Sequence, residues 1–217
     1  MEKRKEIGII FDLDGTLWDS SKQVVDSWNI ALKDFPEIDY KIKVEDMHRN
    51  MGKILPEIGK NLFVGVDDKK REEILEHCCA IENDYIRKVG GDLFQGAVEM
   101  FQSLSDKYSV FIVSNCQAGY IEAFLDHYEF HSFFTDTECP GNTGLPKGDN
   151  IKLIIERNQI KQAVYIGDTY GDYNAAVNVA KIPFIFAKYG YGEVEEAQYI
   201  ANSINDVEKL IENIIKE

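Results

Sequence analysis

Short, continuously apolar runs separated by amphipathic stretches leave this chain few folds to choose from. Ile7–Phe11, Ser109–Val113, Ala163–Ile166 and Ile182–Phe186 are runs of this kind, and Phe133–Thr135 is a weaker one. A strand with one face in water alternates apolar and polar residues, whereas a parallel strand covered on both faces does not. Most of the runs are separated by segments with helical spacing. Gly96–Lys107 carries apolar residues at 97, 98, 100, 101 and 104, and Tyr120–Tyr128 and Asn150–Arg157 behave similarly. Strand and helix in alternation predict an α/β fold, a parallel sheet with helices on both faces.

The interval from Phe11 to Ser109 breaks the rhythm, because it is far longer than one crossover helix needs. It reads as mostly helical, over Ser20–Lys33, Lys53–Leu62 and Asp67–Lys88, with Gly90-Gly91 as a turn back to the sheet. Residues 17–92 are therefore expected to form a helical cap, inserted into a core made of 1–16 and 93–217. A chain of 217 residues is long enough for such a core and its insert.

Charge narrows the partners. With 38 acidic and 24 basic residues the net charge is −14, which repels phosphate backbones and anionic membranes and argues against nucleic acid as a partner. A small phosphorylated ligand is also anionic, so binding one requires a local cation, and a divalent metal is the obvious candidate. The apolar run near the N-terminus is too short for a signal-peptide core, and no segment approaches the roughly 18 apolar residues of a membrane helix. The four cysteines have no zinc-finger spacing and read as reduced thiols, so a cytoplasmic location is expected.

Four places could do chemistry. In Asp12-Leu-Asp14-Gly-Thr16, two carboxylates follow the first predicted strand, at the end of a sheet where ligands bind. Close carboxylates repel unless a cation or a shared proton compensates. In Gly167-Asp168-Thr-Tyr-Gly-Asp172, two more follow another apolar strand; four converging carboxylates suit magnesium, although Asp172 would also serve as a helix first-turn residue. Ser114-Asn115 directly follows the strand ending at Val113, and a hydroxyl with backbone amides at a helix start makes a phosphate site. Lys147 could bridge a carboxylate and a phosphate oxygen. Taken singly the last two are weak, since Ser-Asn is common in turns and most lysines are solvated.

Taken in order, the four sites resemble the haloacid dehalogenase-like (HAD) hydrolase superfamily, in its phosphoglycolate phosphatase-like and β-phosphoglucomutase-like branch. The resemblance implies a Rossmann-like core with an inserted helical cap, a Mg2+ cofactor and a small phosphorylated metabolite as substrate. It further implies that Asp12 attacks phosphorus, that Asp14 acts as acid and base, that Ser114 and the Asn115 amide hold phosphate oxygens, and that Lys147 offsets charge. The metal would take Asp12, the Asp14 carbonyl and Asp168, with Asp172 in support. An aspartate at position 14 favours phosphate esters over dehalogenase or phosphonatase chemistry. Two departures from the common pattern are Trp18, in place of a small apolar residue, and Lys181, in place of a frequent glycine.

In the cap, Arg49-Asn-Met-Gly-Lys53 resembles the family's specificity loop, so Arg49 and Lys53 are candidate substrate contacts, although solvated surface cations look the same in sequence. Trp18, Trp28 and Tyr85 could line the pocket, but helix packing explains them more simply. The leading expectation is a phosphatase. A phosphomutase would use the same core residues, and a non-catalytic phosphate-ligand binding protein would have no need to keep both Asp12 and Asp14.

Overall fold

The computed structural model describes residues 4–216. In chain order the elements are β1 (Arg4–Phe11), β2 (Trp18–Asp19), α1 (Ser21–Ala31), α2 (Val44–His48), α3 (Leu55–Leu62), α4 (Asp68–Val89), β3 (Asp92–Leu93) and α5 (Ala97–Lys107). They continue with β4 (Tyr108–Val113), α6 (Tyr120–Tyr128), β5 (Asp136–Glu138), α7 (Pro140–Thr143), α8 (Lys147–Arg157), β6 (Gln162–Gly167), α9 (Tyr170–Tyr173), β7 (Phe184–Ala187), β8 (Tyr199–Ala201) and α10 (Val207–Lys216).

Six strands form one sheet in the order β5-β4-β1-β6-β7-β8, with every neighbouring pair parallel. The expected α/β class with a Rossmann-like sheet holds. The apolar runs are continuous for the reason anticipated. Ile9 and Phe11 enter the core on one side of the sheet and Ile10 the core on the other. Ile112 and Phe111 divide in the same way on β4, as do Ile166 and Tyr165 on β6.

The weak run Phe133–Thr135 is not a strand. The strand begins three residues later, and Phe133 and Phe134 instead pack against the ring of Phe101. The polar sequence Asp136-Thr-Glu138 carries no apolar signal because it is an edge strand. Arg157 holds it from outside through Asp136 (2.6 Å) and Glu138 (2.8 Å). The run Ile182–Phe186 enters the sheet only at Phe184, after Pro183, which lacks an N–H to donate. Lys181 adopts φ 61°, the left-handed region that makes glycine the usual residue there.

Between β2 and β3 the chain is helical, and these two short strands pair antiparallel, Trp18 with Leu93 and Asp19 with Asp92. Departure and return of the long helical segment are thereby tied together beside the sheet. Within it α4 packs on both α1 and α6. Among the described residues no helix is long and apolar enough to cross a membrane.

Candidate functional site

β1 lies between β4 and β6, where the strand order reverses direction, and ligands collect at such a switch point. Register sets what converges there. Phe11 is level with Ile112 on one side and Ile166 on the other, and the Asp12 N–H donates to Ile166 O at 2.8 Å. Asp12, Ser114 and Asp168 therefore leave three adjacent strands at nearly the same height. Beyond Asp12 the chain turns sharply at Gly15, whose φ is 79°. A Cβ there would lie 2.3 Å from Asp168 Oδ2, so both the turn and the approach of Asp168 require glycine.

Asp172 is placed by a reciprocal cap at the start of α9. Thr169 Oγ1 accepts from the Asp172 N–H (3.2 Å), while Asp172 Oδ2 accepts from the Thr169 N–H (3.0 Å) and hydroxyl (2.6 Å). Its other oxygen, Oδ1, accepts from Lys147 Nζ at 2.6 Å, and the same ammonium donates to Asp12 Oδ1 at 2.9 Å. Asp12, Asp168 and Asp172 can bring ligand oxygens within 4.8 Å of one another. Lys147, Asp12 and Asp172 are all at most 5% exposed, so their charges act in a poorly screened environment.

Burial and then Asp172 push the Asp12 carboxyl up to about 7, against the pull of Lys147. Burial, followed by Asp172 and Asp12, raises Asp168 well above the usual range. For Lys147, burial works to lower its pKa, and Asp12 and Asp172 outweigh it, so the ammonium is held charged. Three carboxylates facing one lysine are short of positive charge. The deficit and the all-oxygen donor set fit a divalent hard cation such as Mg2+.

Asp14 is set apart from this cluster. Its Oδ1 accepts from Ser20 Oγ (2.5 Å), Trp18 Nε1 (2.9 Å) and Tyr120 OH (2.9 Å). Burial raises its pKa, and the Ser20, Tyr120 and Trp18 hydrogen bonds oppose the rise. Trp18 thus has a polar task as well as its edge-on contacts with Tyr120, Phe124 and Tyr128.

Asp12, Asp14, Ser20, Tyr120 and Lys147 line a cavity of about 70 Å³ between the sheet's end and the helical segment, together with Ser114, Asn115, Lys53, Trp28, Gln117 and Glu82. Asn115 Nδ2 donates to Gly52 O at 2.8 Å, so its side chain joins the core to the 49–53 loop, and its Oδ1 is buried without a partner. Lys53 faces the cavity while donating to Arg49 O (2.7 Å) and Asn50 Oδ1 (3.2 Å). Arg49 does not line the cavity. Its side chain is 72% exposed and pairs with Asp46. Trp18 and Tyr85 also lie outside it, whereas Trp28 lines it.

Sequence reasoning missed Ser20, Tyr120 and Glu82. Glu82 is 4% exposed, and burial drives its pKa up to about 7 against the hydrogen bonds from Trp28 and Gln117. A carboxylate whose native pKa lies above its unfolded value of 4.5 binds its proton more tightly when folded. Its penalty is absent at pH 4, grows as pH rises through about 5 to 7, and is complete at pH 8. Glu82→Gln is accordingly expected to stabilise the fold at pH 8 by up to about 3 kcal/mol relative to wild type, with the gain vanishing near pH 4. Urea unfolding at the two pH values reads this directly, and a gain of equal size at both would show that burial of the charge is not its source.

Comparison with known proteins agrees with the fold. The profile of the family described as haloacid dehalogenase-like hydrolase matches residues 9–187. A protein of Psychrobacter arcticus named phosphoglycolate phosphatase is 24% identical, over 96% of this chain and 95% of that one. Among solved structures, a haloacid dehalogenase-like family hydrolase from Streptococcus pneumoniae superposes with a TM-score of 0.80 at 22% identity, over 95% of this chain and 99% of that one. A β-phosphoglucomutase from Clostridium difficile gives 0.74 at 15% identity, over 97% and 99%. The chain belongs to the haloacid dehalogenase-like hydrolase family, and the expectation of an enzyme of that family holds.

Proposed function

We propose that this enzyme is a magnesium-dependent phosphatase that transfers the phosphoryl group of a small metabolite to Asp12 and then to water. The observation that carries the reading is the Lys147 ammonium held between Asp12 and Asp172, inside a buried carboxylate cluster at the switch point of the sheet. Residues 17–92 are taken as a cap domain over a core of 1–16 and 93–217, with the β2–β3 pair as its neck.

In the first step a carboxylate oxygen of Asp12 forms a bond to phosphorus while the bond to the leaving alcohol breaks, and Asp14 gives that oxygen a proton. In the second, Asp14 takes a proton from water as the water attacks phosphorus, and the bond to Asp12 breaks to release inorganic phosphate. The Ser114 hydroxyl and the Asn115 backbone N–H orient phosphate oxygens, and Lys147 favours the ionised form of Asp12. Asp12, Asp168 and the Asp14 carbonyl would hold Mg2+, with Asp172 in support, and the bound ion would offset charge on the phosphoryl oxygens. The three donors on Asp14 Oδ1 hold its carboxyl in one orientation beside the cavity.

Phosphate release from a panel of phosphoglycolate, sugar phosphates, nucleoside monophosphates, aminoalkyl phosphates and an aryl phosphate tests the reading. Release is expected with magnesium and not with EDTA, and restored when magnesium is returned. Equal rates in chelator would remove the metal from the mechanism. Interconversion of sugar phosphates without free phosphate would make the enzyme a mutase.

A further inference from the structure

Glu82 is a buried carboxylate in the active-site cavity that neither step above uses. It comes from α4, and the two groups that bond it, the Trp28 indole N–H at 2.5 Å and the Gln117 side chain, are both neutral. Among the described residues no lysine, arginine or histidine forms an ion pair with it. A buried carboxylate without a counter-ion is costly, and the fold would be easier to keep with glutamine in its place.

Its surroundings say what would complete it. Val24, Trp28, Met47 and Ile58 are apolar residues of the same lining. The other cation of the cavity besides Lys147 is Lys53, which also lines two open surface clefts and so stands at the rim; Glu82 lines neither cleft. Lys147 is already engaged by Asp12 and Asp172. Glu82 and Asp14 line the same cavity, and Asp14 is the group proposed above to protonate the leaving oxygen.

We propose that Glu82 determines specificity for the leaving group, and that the substrate is a small phosphomonoester whose alcohol portion carries an ammonium group, seated against the Glu82 carboxylate. This rests on the reading of the site as a phosphatase. An ammonium supplies the absent counter-charge. A carboxylate in that position, as in phosphoglycolate, would meet the negative charges of Glu82 and Asp14 and find no cation at that end.

The test compares kcat/KM of the magnesium-loaded enzyme for 2-aminoethyl phosphate, for propyl phosphate (uncharged and of similar size) and for phosphoglycolate, with an aryl phosphate alongside. The amine is expected to exceed propyl phosphate by about tenfold or more, with phosphoglycolate the poorest. Glu82→Gln should abolish the preference for the amine and raise the rate on phosphoglycolate. Equal wild-type rates on the amine and propyl phosphate, a wild-type preference for phosphoglycolate, or an amine preference that survives Glu82→Gln would each overturn the assignment. The wild-type ranking decides even if the variant does not fold. Hydrolysis of the aryl phosphate with none of the other three overturns the specificity alone, whereas hydrolysis of nothing overturns the phosphatase reading beneath it.

Discussion

Asp12→Asn is expected to lower kcat by about four orders of magnitude or more while the protein stays folded. The two halves of this result have one cause. Asp12 is 2% exposed and sits beside Asp172, and Lys147 is the chief group favouring its ionised form. Asparagine keeps the shape and an oxygen to accept from the lysine, but it cannot form an acyl phosphate. It also removes a charge that burial and Asp172 oppose, so the midpoint of thermal unfolding should be unchanged or slightly raised. A variant that unfolds early would mean that the Lys147–Asp12 pair is mainly structural. A folded variant with substantial turnover would mean that the nucleophile lies elsewhere.

Lys147→Ala should be damaging in both respects. It leaves Asp12, Asp168 and Asp172 together with no ammonium among them, and removing one partner of a buried pair costs about 3–5 kcal/mol. Activity should fall by at least about a hundredfold, because phosphoryl transfer depends on charge compensation at the reacting group. Added magnesium should recover part of the lost stability in this variant, and more than it adds to wild type, since the ion would supply charge the lysine no longer gives. Thermal unfolding with and without magnesium measures the difference. Equal shifts in the two proteins would separate the lysine from the metal site.

The parts of the site that sequence disclosed are those fixed by strand ends. Asp12, Ser114 and Asp168 each follow a continuous apolar run directly, so a parallel sheet alone brings them together. Lys147 was legible only through its order among the other sites, because nothing near it distinguishes a buried lysine from a solvated one. Glu82 was invisible for the converse reason. Along α4 it is one acid among several, with Glu72, Glu73 and Glu76 before it, and its burial arises only when α4 packs against α1 and α6. Tyr120 begins α6, and its hydroxyl meets Asp14 across 106 residues of sequence. Arg49 and Lys53 looked equivalent in their loop, and only the fold turns one toward the cavity and the other to solvent. The edge strands Asp136–Glu138 and Tyr199–Ala201 escaped because a half-covered edge needs no apolar run.

The mechanism requires that Asp12 carry the phosphoryl group during turnover. Acid quenching of the magnesium-loaded enzyme while it hydrolyses its best substrate, followed by peptide mass spectrometry, measures this directly. One phosphoryl group on the peptide containing Asp12, absent when Asp12 is asparagine, is the predicted result. An actively hydrolysing enzyme whose phosphoryl group is found on another residue would contradict it.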